Sequence, residues 1–116
     1  MLNALTIDVE EHFQVHAFER LIGRDAWERY PSRVVPNTRR IVRLLAERQV
    51  RATFFVLDWV AERHPELVRE IAAAGHEIGT HGYWHELIYR QTPAEFAEDL
   101  RRSLAAIERA APGVRL

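Results

Sequence analysis

Two stretches of this chain have residue types and spacings that can do chemistry. Asp8-Val9-Glu10-Glu11 gathers carboxylates, and Thr80-His81-Gly82-Tyr83-Trp84-His85 carries two imidazoles four residues apart. Two His and one carboxylate are a ligand set used by hydrolytic zinc and by non-haem iron. There are no cysteines, so any metal must be held by imidazole and carboxylate, and thiol nucleophiles and disulfide scaffolds are excluded. Residues four apart meet one ion if their segment makes a helical turn, although Gly82 inside it favours a loop or a short turn. A second pair, His12 and His16, has the same spacing but falls in an irregular aromatic stretch, where His12 beside Glu10 and Glu11 is a rival ligand. His64 before Pro65 reads as a capping residue, and His76 after Gly75 as a packing one.

The elements that must position these groups follow from hydropathy. Ala4 to Val9 is a short apolar run with β-branched residues ending in acids, a buried strand. Residues 10 to 36 read as a long loop with a short helical piece. Asn37 or Thr38 then caps a helix whose apolar face is Ile41, Val42, Leu44 and Leu45. Ala52-Thr53-Phe54-Phe55-Val56-Leu57 is the strongest strand, apolar on both faces, as in parallel sheets covered by helices. Pro65 opens the next helix, with Leu67, Val68, Ile71 and Ala72 buried and Gly75 as its left-handed terminator. His76 to Thr80 is a third strand. Thr92-Pro93-Ala94-Glu95 is a capping box opening a last helix, with Phe96, Leu100, Leu104 and Ile107 on one face and Pro112-Gly113 ending it.

Strand and helix alternate three times, which implies α/β architecture with parallel strands and right-handed crossovers. Both chemical clusters then lie at C-terminal strand ends, where such folds place their sites. Three strands close no barrel, since a (β/α) barrel takes about 250 residues, and this chain has 116. The formal net charge of −1, with 16 basic and 17 acidic residues, provides no basic field for nucleic acid. Every basic residue is Arg, which excludes Schiff-base lysines and a P-loop. No run reaches the roughly 20 apolar residues of a transmembrane helix, and the N-terminus lacks a signal-peptide pattern. A cytoplasmic location is expected.

The run Gly75-His76-Glu77-Ile78-Gly79-Thr80-His81-Gly82-Tyr83-Trp84-His85, with Thr6-Ile7-Asp8-Val9-Glu10 and Ala52 to Leu57, resembles the N-terminal half of a polysaccharide deacetylase, the NodB-homology domain of carbohydrate esterase family four. Asp8 to Glu11 and Leu87 to Pro93 look like the subgroup from exopolysaccharide loci linked to PEP-CTERM sorting. The resemblance implies a distorted (β/α)7 barrel, of which residues 1–116 are the N-terminal part, cut short at the C-terminus. The later family motifs, an Arg-x-Pro-Tyr type segment and a His acting as general acid, would lie beyond Leu116.

By the same resemblance Asp8 is the catalytic base, and His81 and His85 bind metal. The family's usual third ligand, a second Asp, aligns with Val9, which cannot ligate. Strand residues two apart share a face, so Glu10 stands as the substitute ligand beside Asp8. The exchanged assignment remains open, as does a metal-free site of the allantoinase-like kind. Gly82 replaces the usual Ser or Thr. Tyr83 and Trp84 either line the sugar site or pack. The implied reaction is removal of N-acetyl groups from hexosamines of a polysaccharide or lipid-linked oligosaccharide during exopolysaccharide metabolism, with a divalent cation, zinc by ligand type. The competing class is a non-catalytic carbohydrate-binding or interaction module. An unfinished barrel also implies self-association.

Overall fold

The computed structural model describes residues 3–116. Three short strands, β1 (Thr6–Val9), β2 (Thr53–Val56) and β3 (Glu77–Thr80), form one parallel sheet in the order β1-β2-β3. The register pairs Asp8 with Phe55 and Phe55 with Gly79, then Val9 with Val56 and Val56 with Thr80. The three C-terminal ends are therefore level. The ladder runs one step further, with Leu57 N–H donating to Val9 C=O (3.0 Å) and His81 N–H to Val56 C=O (2.9 Å). Glu10 and His81 thus leave the two outer strands at the same edge of the sheet.

Alternation sorts the strand residues onto two faces. Val9, Phe54, Val56 and Ile78 are buried against the helices. Thr6, Asp8 and Glu77 on the other face are exposed, with Thr53, Phe55 and Gly79 only partly covered. The expectation that β2 is enclosed on both faces is therefore corrected. Among the described residues, helices close one face, and the face carrying Asp8 stays open.

Helix α1 spans Val34–Glu47, so it starts earlier than the expected cap at Asn37 or Thr38. The reason is tertiary. The Glu11 carboxylate accepts the Arg33 and Val34 N–H groups and supplies the cap from a distance. Pro36 falls in the first turn, where its missing N–H leaves no intrahelical bond unmade. Leu44, expected in the apolar face, is exposed, whereas Val34, Thr38 and Leu45 are buried. A short helix α2 (Asp58–Arg63), not anticipated, follows β2 and buries Asp58, Trp59, Val60 and Ala61. Helix α3 (Pro65–Ala73) has Pro in its first turn, and Gly75 follows it at φ 82°. His64 occupies its N-cap, but the imidazole does not cap it. His76 packs as expected: its ring lies 4.8 Å from Phe54, and its Nδ1 accepts the Ala52 N–H (3.2 Å).

Helix α4 (Pro93–Ala110) opens with the expected capping box, Thr92 N–H donating to Glu95 (2.7 Å) and Glu95 N–H to Thr92 Oγ (3.3 Å). Its buried face is Ser103, Ala106, Ile107 and Ala110. Phe96 and Leu104, expected to be buried, are each 41% exposed. Apart from Ile107 the buried residues are small, and Phe96 and Leu104 turn outward. No described helix is long and apolar enough to cross a membrane.

The long segment between β1 and α1 holds two short 3-10 turns, His16–Phe18 and Arg24–Arg29. It is pinned by aromatic packing: Trp27 meets Trp59 edge-on at 5.5 Å, and Phe13 lies 6.4 Å from Trp27 and 6.3 Å from Trp59.

Candidate functional site

Glu10, at the end of β1, and the loop after β3 meet across the end of β2. Glu10 Oε2 lies 3.2 Å from His85 Nε2 and 3.9 Å from His81 Nε2. One ligand atom from each of the three residues falls within 4.8 Å of the others. The segment from His81 to His85 makes no helical turn. It folds back because Gly82 and His85 both take positive φ, 76° and 56°. For His85 that conformation is uncommon and must be held by its surroundings.

The holding groups come from two helices. Gly82 N–H donates to Thr80 Oγ (3.0 Å), and the Thr80 hydroxyl donates to Asp58 Oδ2 (2.5 Å). Asp58 N–H in turn donates to Gly82 C=O (2.9 Å). From α4, Asp99 accepts the Tyr83 N–H (3.1 Å). Asp58 and Asp99 were absent from the sequence-based candidates. A single acid after an apolar strand and an acid within an amphipathic helix both read as ordinary surface positions.

Burial sets the electrostatics. Desolvation raises the Glu10 pKa above the ordinary carboxylate value; His85 and then His81 oppose this, while Asp8 adds to it. Glu10 Oε2 and His85 Nδ1 are buried without a hydrogen-bond partner. A buried acceptor left unpaired is costly. An orphaned carboxylate oxygen facing two imidazole nitrogens fits a divalent cation, and the all-N/O donor set suits zinc. Asp8 is exposed and, with Glu10 and His12, borders a cavity of about 340 Å³. His12 is not part of the three-residue cluster; its ring stands edge-on to Phe13 at 5.2 Å.

Of the two aromatic candidates, only Trp84 reaches the surface. It borders two cavities, of about 380 and 660 Å³, between the guanidinium groups of Arg24 (5.5 Å) and Arg102 (5.0 Å). The expectation that Tyr83 lines a sugar site is corrected. Tyr83 is 2% exposed, its hydroxyl donates to Glu62 (2.5 Å), and Arg102 lies 3.6 Å over its ring. It packs beneath the loop.

The chain is similar to known proteins in sequence and in fold. The family model described as polysaccharide deacetylase matches residues 21–115. A chitooligosaccharide deacetylase of Bradyrhizobium sp. (strain ANU 289) is 35% identical over 72 residues, covering 62% of this chain and 33% of that protein. A peptidoglycan-N-acetylglucosamine deacetylase of Bacillus cereus is 34% identical over 74 residues, covering 64% of this chain and 27% of that one. The crystal structure of the Bc1960 peptidoglycan N-acetylglucosamine deacetylase superposes with a TM-score of 0.69 at 28% identity, over 94% of this chain and 41% of that chain. This chain spans about a third of the length of two chitooligosaccharide deacetylases it matches, and its three-stranded α/β unit superposes on part of the NodB-like fold of solved family-four esterases. A family match over residues 21–115, from within the loop after β1 to the penultimate residue, on a fold shared with solved deacetylases, shows that the chain belongs to the polysaccharide deacetylase family.

Proposed function

We propose that this chain carries the metal-binding and base-bearing part of a polysaccharide N-deacetylase, residues 1–116 being the N-terminal part of that domain. The observation that carries the reading is the convergence of Glu10, His81 and His85 on one point, with Asp8 on the open face beside it. Glu10, His81 and His85 would hold a divalent cation, zinc by ligand type, which when bound supplies Lewis acidity toward an amide carbonyl. The Asp8 carboxylate accepts the proton of the attacking water, a role that suits an exposed acid two residues from a ligand. Trp84, which borders two cavities, is the candidate contact for a sugar ring, and the Arg24 and Arg102 guanidinium groups lie against its indole. The substrate is an N-acetylated hexosamine polymer or lipid-linked oligosaccharide. Support comes from the relatives named for chitooligosaccharide and peptidoglycan N-acetylglucosamine; the exopolysaccharide setting rests on the Asp8 to Glu11 and Leu87 to Pro93 segments.

Metal content decides the first point. Purified protein should hold about one zinc ion per chain. His81→Ala and His85→Ala should abolish it, while His12→Ala should not. Within a complete deacetylase domain, Glu10→Ala should weaken zinc binding, with activity partly restored by excess zinc. Asp8→Asn should keep the metal but lower kcat by about 10²–10⁴, the range of general-base loss. Zinc lost from Asp8→Asn but kept by Glu10→Ala would exchange the two roles. A chain that binds chitooligosaccharide but no metal would be a carbohydrate-binding module instead.

A further inference from the structure

Glu11 is as acidic as its neighbours, yet its carboxylate is engaged by the N-terminus of α1. It is 1% exposed. Its carboxylate accepts the Arg33 N–H (2.9 and 3.2 Å to its two oxygens), the Val34 N–H (3.3 Å) and the Ser32 hydroxyl. Its main chain is held as well, since Glu11 N–H donates to Gln14 Oε1 (2.8 Å) and Gln14 N–H donates to Glu11 C=O (2.9 Å). The first turn of a helix leaves N–H groups without intrahelical partners. Arg33, at the N-cap of α1, makes no side-chain cap of its own. Glu11 fills that need from 22 residues away, and its negative charge is favoured by the N-terminal end of the helix dipole.

The residue before Glu11 is Glu10. On its other side Val9 is buried in the sheet, its carbonyl accepting from Leu57 (3.0 Å). Glu10 is therefore bracketed between two anchored residues, and only its own side chain can adjust toward His81 and His85. We infer that Glu11 is a positioning residue, a buried carboxylate that locks the end of β1 onto the N-terminus of α1 so that Glu10 reaches the two histidines. The inference rests on the metal reading above and adds a residue to it. Groups that orient a ligand without touching the ion typically alter metal affinity about 10–100-fold when removed.

The test is zinc affinity by titration calorimetry, well below the unfolding temperature of each variant. Glu11→Ala should bind zinc about 10–100-fold more weakly, while Ser32→Ala, which removes one donor to Glu11, should lose about fivefold, the equivalent of one hydrogen bond. Arg69→Ala, which removes the hydrogen bond from α3 to Ala110 C=O at the far end of α4, should lower Tm and leave zinc affinity unchanged. Zinc affinity within twofold of the original in Glu11→Ala, or in Ser32→Ala should Glu11→Ala not fold, would overturn the inference and leave Glu11 as a helix cap alone. If the unaltered protein binds no zinc, the metal reading fails separately. The positioning role is then decided by the imidazole NMR resonances of the ion-free protein. Those of His81 and His85 should move in these variants while His76 stays put, and unmoved resonances would overturn it.

Discussion

Asp58 is a fully buried acid, 0% exposed, with one oxygen taken by Thr80 and the other, Oδ1, without a partner. Its pKa is pushed up to about 7, mainly by burial; the hydrogen bond from the Thr80 hydroxyl and the nearby Ser103 side chain oppose the rise, and the charges of Asp99 and Glu62 add to it. The sign of the consequence is opposite to that of a salt-bridged carboxylate. Between pH 3.8 and about 7 the folded chain binds this proton and the unfolded chain has lost it, so stability falls as pH rises through that window, by at most about 4 kcal/mol. Asp58→Asn keeps the shape and removes the charge. The variant should gain stability relative to the parent at pH 8 and lose that advantage at pH 4, in thermal unfolding at both values. Parallel behaviour at the two pH values would mean that Asp58 is ionised in the fold with little cost. At this scale His81 and His85 were legible from residue type and strand-end position, which left a choice of carboxylates from which the family resemblance singled out Glu10. Asp58 and Asp99 were not, because their partners are backbone and hydroxyl groups far away in sequence.

Among the elements, β3 shows how closely packing controls the histidine loop. A Cβ on Gly79 would stand 2.7 Å from the Phe55 ring on the adjacent strand, nearer than any real side chain tolerates. Gly79→Ala should push β3 away from β2 at a cost of about 1–3 kcal/mol and, with His81 two residues on, weaken zinc binding. Replacing Phe55 by Leu should relieve much of the clash, so the double variant should be more stable than the sum of the two single changes predicts. Strict additivity would locate the effect elsewhere. The helix surprises share one cause. The start of α1 is set by Glu11, and the buried stripe of α4 by what α2 and α3 present. Local pattern therefore found α1, α3, α4 and the Thr92 cap but missed α2, the start of α1 and the buried stripe of α4.

For the whole molecule, the sheet has β1 and β3 as its outer strands, an open face carrying Asp8 and Phe55, and exposed apolar groups at Ile88, Tyr89, Phe96 and Leu104. Unpaired strand edges and uncovered apolar surface favour association. The 116-residue chain should self-associate at tens of micromolar or bind a hydrophobic dye in its folded state, as sedimentation velocity and dye fluorescence would show. A monodisperse monomer with cooperative unfolding and no dye binding would show that this open face is stable in water as it stands.

Sequence by itself determined the alternation of the three strands with α1, α3 and α4, the parallel α/β class and the candidate metal ligands. Each of these depends on periodicity, on turn and cap chemistry, or on the types of neighbouring side chains, all of which are local. Only the tertiary structure decided that Glu10 lies against His85, that Tyr83 packs inward while Trp84 turns outward, and that the Glu11 carboxylate caps a helix. Those outcomes depend on contacts between residues tens of positions apart, where backbone register and the competition for buried hydrogen-bond partners choose among side chains that look equivalent along the chain.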